Sequence, residues 1–164
     1  MPRTKLSHFN QQGQAQMVDI SKKSATRRIA TAVGTVFMSQ TTLRLIEANK
    51  LDKGSIWEVA RLAGIMAAKK TPELIPMCHP ILLGNIDVDF AIKSLEKEER
   101  AEIKITASVS AAGQTGVEME AMTAVSIAAL TLYDMCKAAD KGILLGEIGL
   151  TFKSGGKSGT YKRG

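Results

Sequence analysis

Between residues 115 and 140 the chain reads TGVEMEAMTAVSIAALTLYDMCKAAD, and no other segment limits the possible folds as much. Thr115 followed three places later by Glu118 has the spacing of a capping box, which predicts a helix starting there. The turns that follow are apolar on almost every side. A helix apolar around its circumference needs cover on more than one face, so it lies deep in a domain or against another subunit. At 164 residues the chain suits one compact domain with a core that needs no staple. In so short a chain a subunit contact becomes part of the expectation.

The remaining segments supply partners for that helix. RIATAVGTVFM (28–38) alternates, with Ile29, Val33 and Phe37 on one parity, and reads as a strand; MVDIS (17–21) alternates more briefly. SQTTLRLIEANK (39–50) predicts a short helix with Leu43 and Ile46 on one face. In KGSIWEVARLAGIMAAKKTPE, Ser55 and Glu58 form a second capping box, and Ile56, Val59, Ala60, Ala63 and Ala67 fall on a helical stripe. That helix should end near Lys70, because Pro72 disfavours helical geometry at Thr71 and Lys69 and Lys70 suit the negative end of the dipole.

GNIDVDFAIKSL and RAEIKITASVSA, joined by the charged tip EKEER, predict a β-hairpin; Ile103, Ile105, Ala107 and Val109 mark its core side. GEIGLTFKSGG offers a last strand. Strands and helices mix without regular parallel units, so the expected class is α+β. The expectation is an antiparallel sheet with helices packed on one face in a ferredoxin-like arrangement, as a single domain over 1–164 with flexible ends at 1–12 and 154–164.

Charge and cysteine usage narrow the function. Twenty-two Lys and Arg against 16 Asp and Glu give a net charge of +6, which favours anionic partners such as nucleic acid or a nucleotide. RNA readers stack bases on aromatic rings, and four Phe, two Tyr and one Trp, none in a basic-aromatic cluster, weigh against nucleic acid. Two unpatterned cysteines, Cys78 and Cys136, suit a reducing compartment. MPRTKLSHFNQQG lacks an apolar signal region, and no run approaches the roughly 18 apolar residues of a membrane span. The expected location is the cytoplasm, without membrane contact.

Three places carry chemistry. In LIPMCHP (74–80), Cys78 and His79 lack a second ligand pair at zinc spacing, so no metal is expected. Neighbours on an extended chain point to opposite sides, so they do not read as a nucleophile and its base. Pro76 and Pro80 stiffen the backbone, leaving His79 as a positioned polar group or a satisfied, partly buried histidine.

The tail KSGGKSG matches the end of a phosphate loop at Gly156, Lys157 and Ser158, but Thr151 stands where the first glycine is required. Lys153 and Lys157 on glycine-rich backbone remain candidates to close over a triphosphate; a solvated terminus is the plainer reading. On the long helix, Glu118 is explained by its cap, whereas Glu120 is a carboxylate in need of a partner. Asp134 and Lys137, three apart, make either a surface ion pair or an acid-base pair. Glu120 and Asp134 are separated by roughly 21 Å of helix, so one pocket in a single chain does not reach both.

MVDISKKSATRR, KGSIWEVARLAGIMAAKKTPELIPMCHP, TGVEMEAMTAVSIAALTLYDMCKAAD and KSGGKSG, in this order, resemble the molybdenum cofactor biosynthesis protein C family, the cyclic pyranopterin monophosphate synthases. The likeness runs from Leu6 to Gly159. It implies an α+β subunit in a homohexamer, a trimer of dimers with sites at the dimer interfaces. It also implies a phosphorus–oxygen lyase that turns a cyclised dihydro-GTP into cyclic pyranopterin monophosphate and pyrophosphate.

The family's substrate-contacting segments match Met77, Cys78 and His79, and Met119 and Glu120 with Glu118 alongside. Its acidic active-site residue matches Asp134, and its essential lysines match Lys53 and Lys137. Arg28, Lys153 and Lys157 match basic positions suited to the triphosphate. No cofactor is implied, beyond magnesium that accompanies the phosphates. Ser55 stands where the family usually has Asp; serine caps a helix about as well, but a catalytic duty of that carboxylate is absent here.

Two other classes compete with this reading. A basic RNA-binding module would lose affinity steeply with salt and show no turnover. A purely structural oligomer would explain the apolar helix but leave Glu120, Lys53 and Lys137 without a role.

Overall fold

The alternation in TRRIATAVGTVFMS makes one long strand, β1 (Thr26–Ser39). The computed structural model describes residues 8–10, 12–48, 55–95 and 100–164, with the backbone alone at 94 and 95. In β1 the buried parity is the one with small side chains: Ala30, Ala32 and Val36 are fully covered. Ile29, Val33 and Phe37 are only part-buried, on the opposite face. The reason is the closeness of the helix above. A Cβ at Gly34 would collide with Val125, so the middle of that face takes only small residues, while Met38 is buried towards its end.

After β1 come α1 (Gln40–Glu47), α2 (Ile56–Lys69), the single turn α3 (Thr71–Leu74), β2 (Leu83–Leu95), β3 (Arg100–Gly113), α4 (Glu118–Cys136), β4 (Leu144–Ser154) and β5 (Tyr161–Lys162). The segment 17–20 takes no regular structure. All strand neighbours are antiparallel, in the order β2-β3-β1-β4-β5. Thus β3 lies between β1 and β2, and β1 lies between β3 and β4, while α2 and α4 carry the crossovers. This is the ferredoxin-like arrangement, an α+β fold, with the two-residue β5 added at one edge.

The hairpin of β2 and β3 forms as expected, and Ile103, Ile105, Ala107 and Val109 are fully buried. Burial of each isoleucine contributes roughly 1.5–3 kcal/mol. Helix α4 is covered by the sheet on one side and by α2 on another, which accounts for most of its apolar circumference within a single chain, though Leu130 remains exposed. Among the described residues no helix is long and apolar enough to cross a membrane.

Helix boundaries differ from the sequence pattern in instructive ways. Ser39 caps α1, its hydroxyl accepting from Thr42 N at 3.1 Å. Ser55 occupies the cap position of α2 without a side-chain cap bond, and Glu58 pairs with Arg61 at 3.3 Å instead. The buried face of α2 is Ile56, Ala60, Gly64, Ala67 and Ala68, rotated from the expected stripe, so Val59 is 39 % exposed.

Pro72 does not keep Thr71 out of helical geometry. It sits in the first turn of α3, and buried Thr71 donates its hydroxyl to Ala68 O at 3.0 Å. In α4 the expected capping box is absent: Val117 precedes the helix, which begins at Glu118 with no side-chain cap bond. The Glu118 carboxylate is engaged elsewhere, as described below.

The far end of α4 is tied down by Asp140, which accepts from Ser39 N at 2.9 Å, Thr42 Oγ1 at 3.1 Å and Gly142 N at 2.9 Å. Burial works against its charge, but hydrogen bonds from Ser39, Gly142 and Thr42 outweigh it and hold the carboxyl below the ordinary range.

The contact between α2 and α4 leaves no space at Gly64, where a Cβ would stand 2.9 Å from Ala124 O. Gly64→Val is expected to lower the unfolding free energy by about 1–3 kcal/mol through overpacking. Lys69→Arg, at the exposed end of the same helix, should change it by no more than about 0.5 kcal/mol. Urea denaturation followed by circular dichroism checks both.

Candidate active site

The antiparallel register gathers four chain segments at one end of the sheet. Thr26 lies opposite Gly113, Ile29 opposite Ser154, and Leu83 opposite Ala111, so β1 and β2 begin where β3 and β4 end. The first turn of α4 follows directly from β3. Two adjoining cavities open there and share Lys23, Thr115, Gly116 and Glu118 as wall.

The larger cavity, about 760 Å³, is basic: Lys22, Lys23, Arg28, Lys153 and Lys157 line it, with Glu118 its one carboxylate among the described residues. A local turn presents the first two lysines. Ser21 donates its N–H and hydroxyl to Asp19 Oδ1 at 2.9 and 2.7 Å, and Lys23 N donates to Ile20 O at 2.9 Å. The Ser21 hydrogen bonds hold the Asp19 carboxyl below its ordinary range.

Arg28 is only 9 % exposed, and its guanidinium donates to Gly113 O at 3.3 Å and Gln114 O at 3.4 Å. The tail turns over it at Gly155 and Gly156, with φ of 102° and 73°. A side chain at Gly156 would overlap the guanidinium, so glycine there serves both the left-handed backbone and the close approach. Arg28 is thus built into the cavity floor, joining β1, the β3–α4 connection and the tail. Lys153 Nζ lies 3.0 Å from Glu118 Oε1 and donates to Ser158 Oγ at 3.0 Å, while Lys157 is exposed.

The smaller cavity, about 380 Å³, is lined by Met77, Cys78, His79, Glu118, Met119 and Glu120, with His8, Val18 and Ile20 from the N-terminal segment. The backbone turns at Pro76, Cys78 N donating to Ile75 O at 3.0 Å. His79 Nε2 donates to Val18 O at 2.8 Å, which makes Nε2 the protonated nitrogen. Burial, and then the charge of Glu120, push the Cys78 thiol up, the opposite of what an activated nucleophile needs.

Glu120 is 2 % exposed, and no salt bridge reaches it among the described residues. Burial pushes its carboxyl up to about 7, against a hydrogen bond from its own backbone N–H, and Glu118 adds to the rise. A carboxyl at that value exchanges a proton near neutral pH.

Asp134 and Lys137 lie at the other end of the unbroken α4 and line neither cavity. Lys137 Nζ donates to Asp134 Oδ1 at 2.6 Å, with side chains 53 % and 61 % exposed. The hydrogen bond and charge of Asp134 raise the Lys137 pKa and keep the ammonium charged. Lys53 lies outside the described residues.

All nine substrate-contact candidates therefore line the paired cavities, and the two described acid-base candidates stand about 21 Å of helix away. Sequence reasoning left Lys22 and Lys23 without a role. A lysine doublet is a weak signal until the chain folds it against Arg28 and Lys153. Among the described residues no group of three or more His, Cys, Asp or Glu is placed to hold a metal ion.

The Glu120 environment has a thermodynamic consequence. An ordinary glutamate loses its proton near 4.5 and Glu120 near 7, so the folded chain binds more protons across that window and stability falls as pH rises through it. The deficit above pH 7 approaches about 3 kcal/mol. Glu120→Gln should remove this slope and be the more stable protein at pH 8, as denaturant titrations between pH 4 and 8 would reveal.

Known proteins place the same residues in a family. The model of the MoaC family matches residues 17–156. A cyclic pyranopterin monophosphate synthase of Pelotomaculum thermopropionicum is 54 % identical over 158 residues, covering 96 % of this chain and 91 % of its own. One of Parvibaculum lavamentivorans is 53 % identical over 163 residues, 99 % of both chains. One of Listeria monocytogenes is 52 % identical over 162 residues, 99 % of this chain and 98 % of its own. With the match spanning both cavities, α4 and the glycine-rich tail, the chain belongs to the MoaC family.

Proposed function

We propose that this protein is a cyclic pyranopterin monophosphate synthase, a lyase of molybdenum cofactor biosynthesis that acts on a cyclised dihydro-GTP and releases pyrophosphate. The observation that carries the reading is the pair of adjoining cavities. One is basic and suits a triphosphate; the other is smaller, walled by Met77, Cys78, His79, Met119 and Glu120, and suits a purine-derived ring.

In this reading Lys153, Lys157, Lys22 and Lys23 neutralise the triphosphate, with Arg28 shaping the floor beneath it. A substrate hydroxyl oxygen attacks the α-phosphorus, and the bond to the departing pyrophosphate breaks. Glu120 and His79 hold the ring, and Lys137, oriented by Asp134, shuttles protons with Lys53 while the ring is opened and rebuilt. The larger cavity offers one carboxylate, too few oxygen ligands for a magnesium cage, so magnesium would arrive on the phosphates.

The separation of Asp134 and Lys137 from the cavities supports a site built from two chains, in a homohexamer arranged as a trimer of dimers. Leu62 at 61 % and Leu130 at 52 % exposure are apolar surface that such contacts would cover. A small-molecule substrate rather than nucleic acid, and a cytoplasmic location compatible with the free thiols of Cys78 and Cys136, complete the proposal.

Supplied with the cyclised GTP intermediate, the protein should release pyrophosphate and yield a fluorescent oxidised pterin; absence of both rejects the function. Lys137→Ala should lower turnover by about 10²–10⁴-fold, the usual scale of acid-base catalysis. Its ion pair is exposed and screened by solvent, so stability should change little.

His79→Ala should reduce turnover more than stability, and equal losses would make His79 a packing residue. Co-expressed Glu120→Ala and Lys137→Ala chains should recover about a quarter of wild-type activity, the statistical share when mixed dimers carry one intact shared site. No recovery would place each site within one chain.

A further inference from the structure

Glu118 begins α4, yet its carboxylate serves neither the helix cap nor solvent. It folds back over Gly116, where any Cβ would overlap it, and reaches Lys153 on β4 at 3.0 Å. Side-chain exposures of 25 % and 29 % make this the most covered ion pair among the described residues; the Asp134–Lys137 pair is at 53 % and 61 %. Lys153 also donates to Ser158 on the glycine turn, so one ammonium ties α4, β4 and the tail together.

The position of this pair is chemically odd. Among the described residues Glu118 is the one carboxylate in a cavity whose other charged groups are all cations, and it sits on a cation that a polyanion would seek. A phosphate chain and Glu118 cannot both have that face of Lys153. Because Glu118 also walls the smaller cavity, a displaced carboxylate has a place to go beside Glu120, whose proton its charge already helps retain.

We propose that Glu118 is an exchangeable counter-ion: it holds Lys153 in place until a triphosphate takes the ammonium, and its released carboxylate then joins the wall of the ring-sized cavity. Occupancy of the basic cavity is thereby reported to the neighbouring one through a single side chain. Glu118 is a positioning residue in this scheme. The inference rests on the reading of the basic cavity as a triphosphate site.

Inorganic tripolyphosphate, which has no ring, tests it by isothermal titration calorimetry of the intact protein at low ionic strength. Wild type should bind. Glu118→Gln, which keeps the side-chain shape but loses the charge, should bind about three- to fivefold more tightly, the scale of a partly exposed ion pair no longer in competition. In the Lys153→Met background, where Lys22, Lys23 and Lys157 still bind the anion, the same change should give no gain.

Unchanged or weaker binding by Glu118→Gln overturns the exchange while leaving the basic cavity as a triphosphate site. A gain that persists without Lys153 overturns it too, since general charge repulsion would then suffice. Failure of wild type to bind tripolyphosphate instead rejects the triphosphate site itself, and the exchange with it. Should the amide disturb the loop in far-ultraviolet circular dichroism, Glu118→Ala carries the same three outcomes.

Discussion

Helix α4 can lie at the centre of this molecule because the side chains around it are small. Below it the sheet offers Ala30, Ala32 and Gly34, and beside it α2 offers Ala60, Gly64 and Ala68. Backbones that approach so closely exclude water and leave little freedom to tilt or slide. The helix therefore acts as a fixed axis, and everything at either end of it inherits that precision. Glu118 and Glu120 are held against the β3–α4 connection, while Asp140 anchors the opposite end to Ser39 and Thr42.

Along that axis the acidic groups meet three different environments. Glu120 is buried and keeps its proton to about 7. Glu118, two residues earlier, is ionically paired with Lys153 on the shared wall of both cavities. Asp134 is paired with Lys137 at a largely exposed surface. Similar side chains thus have distinct chemistry because solvation and counter-charge differ over a few ångströms or a few turns. The ring-sized cavity needs a group that can be neutral; the basic cavity needs its charges balanced until an anion arrives.

Much of the fold was legible in the chain. The hairpin followed from strict alternation in RAEIKITASVSA, and the buried α4 from its unbroken apolar run, because both signals are local and strong. In β1 the alternation was legible but not which parity would be buried: the tight helix contact selected Ala30, Ala32 and Gly34 and left Ile29, Val33 and Phe37 part-buried. Both capping boxes failed for a related reason. Glu58 and Glu118 had stronger partners in Arg61 and Lys153, and capping competes with whatever charge the fold brings near. Thr71 entered a new helical turn despite Pro72 because its buried hydroxyl gained Ala68 O.

The amino-acid order alone determined the class of fold, the central helix and, through long matching segments, the family. Through the family resemblance it also pointed to nine of the residues that line the two cavities. Only the tertiary structure decided that Lys22 and Lys23 join Arg28 and Lys153 in one basic cavity, that Glu118 bridges to Lys153, and that Glu120 is screened enough to titrate near neutrality. Periodicity is a property of neighbours along the chain, whereas burial and charge pairing arise between residues up to 130 or so places apart that meet only when antiparallel strands bring their ends together.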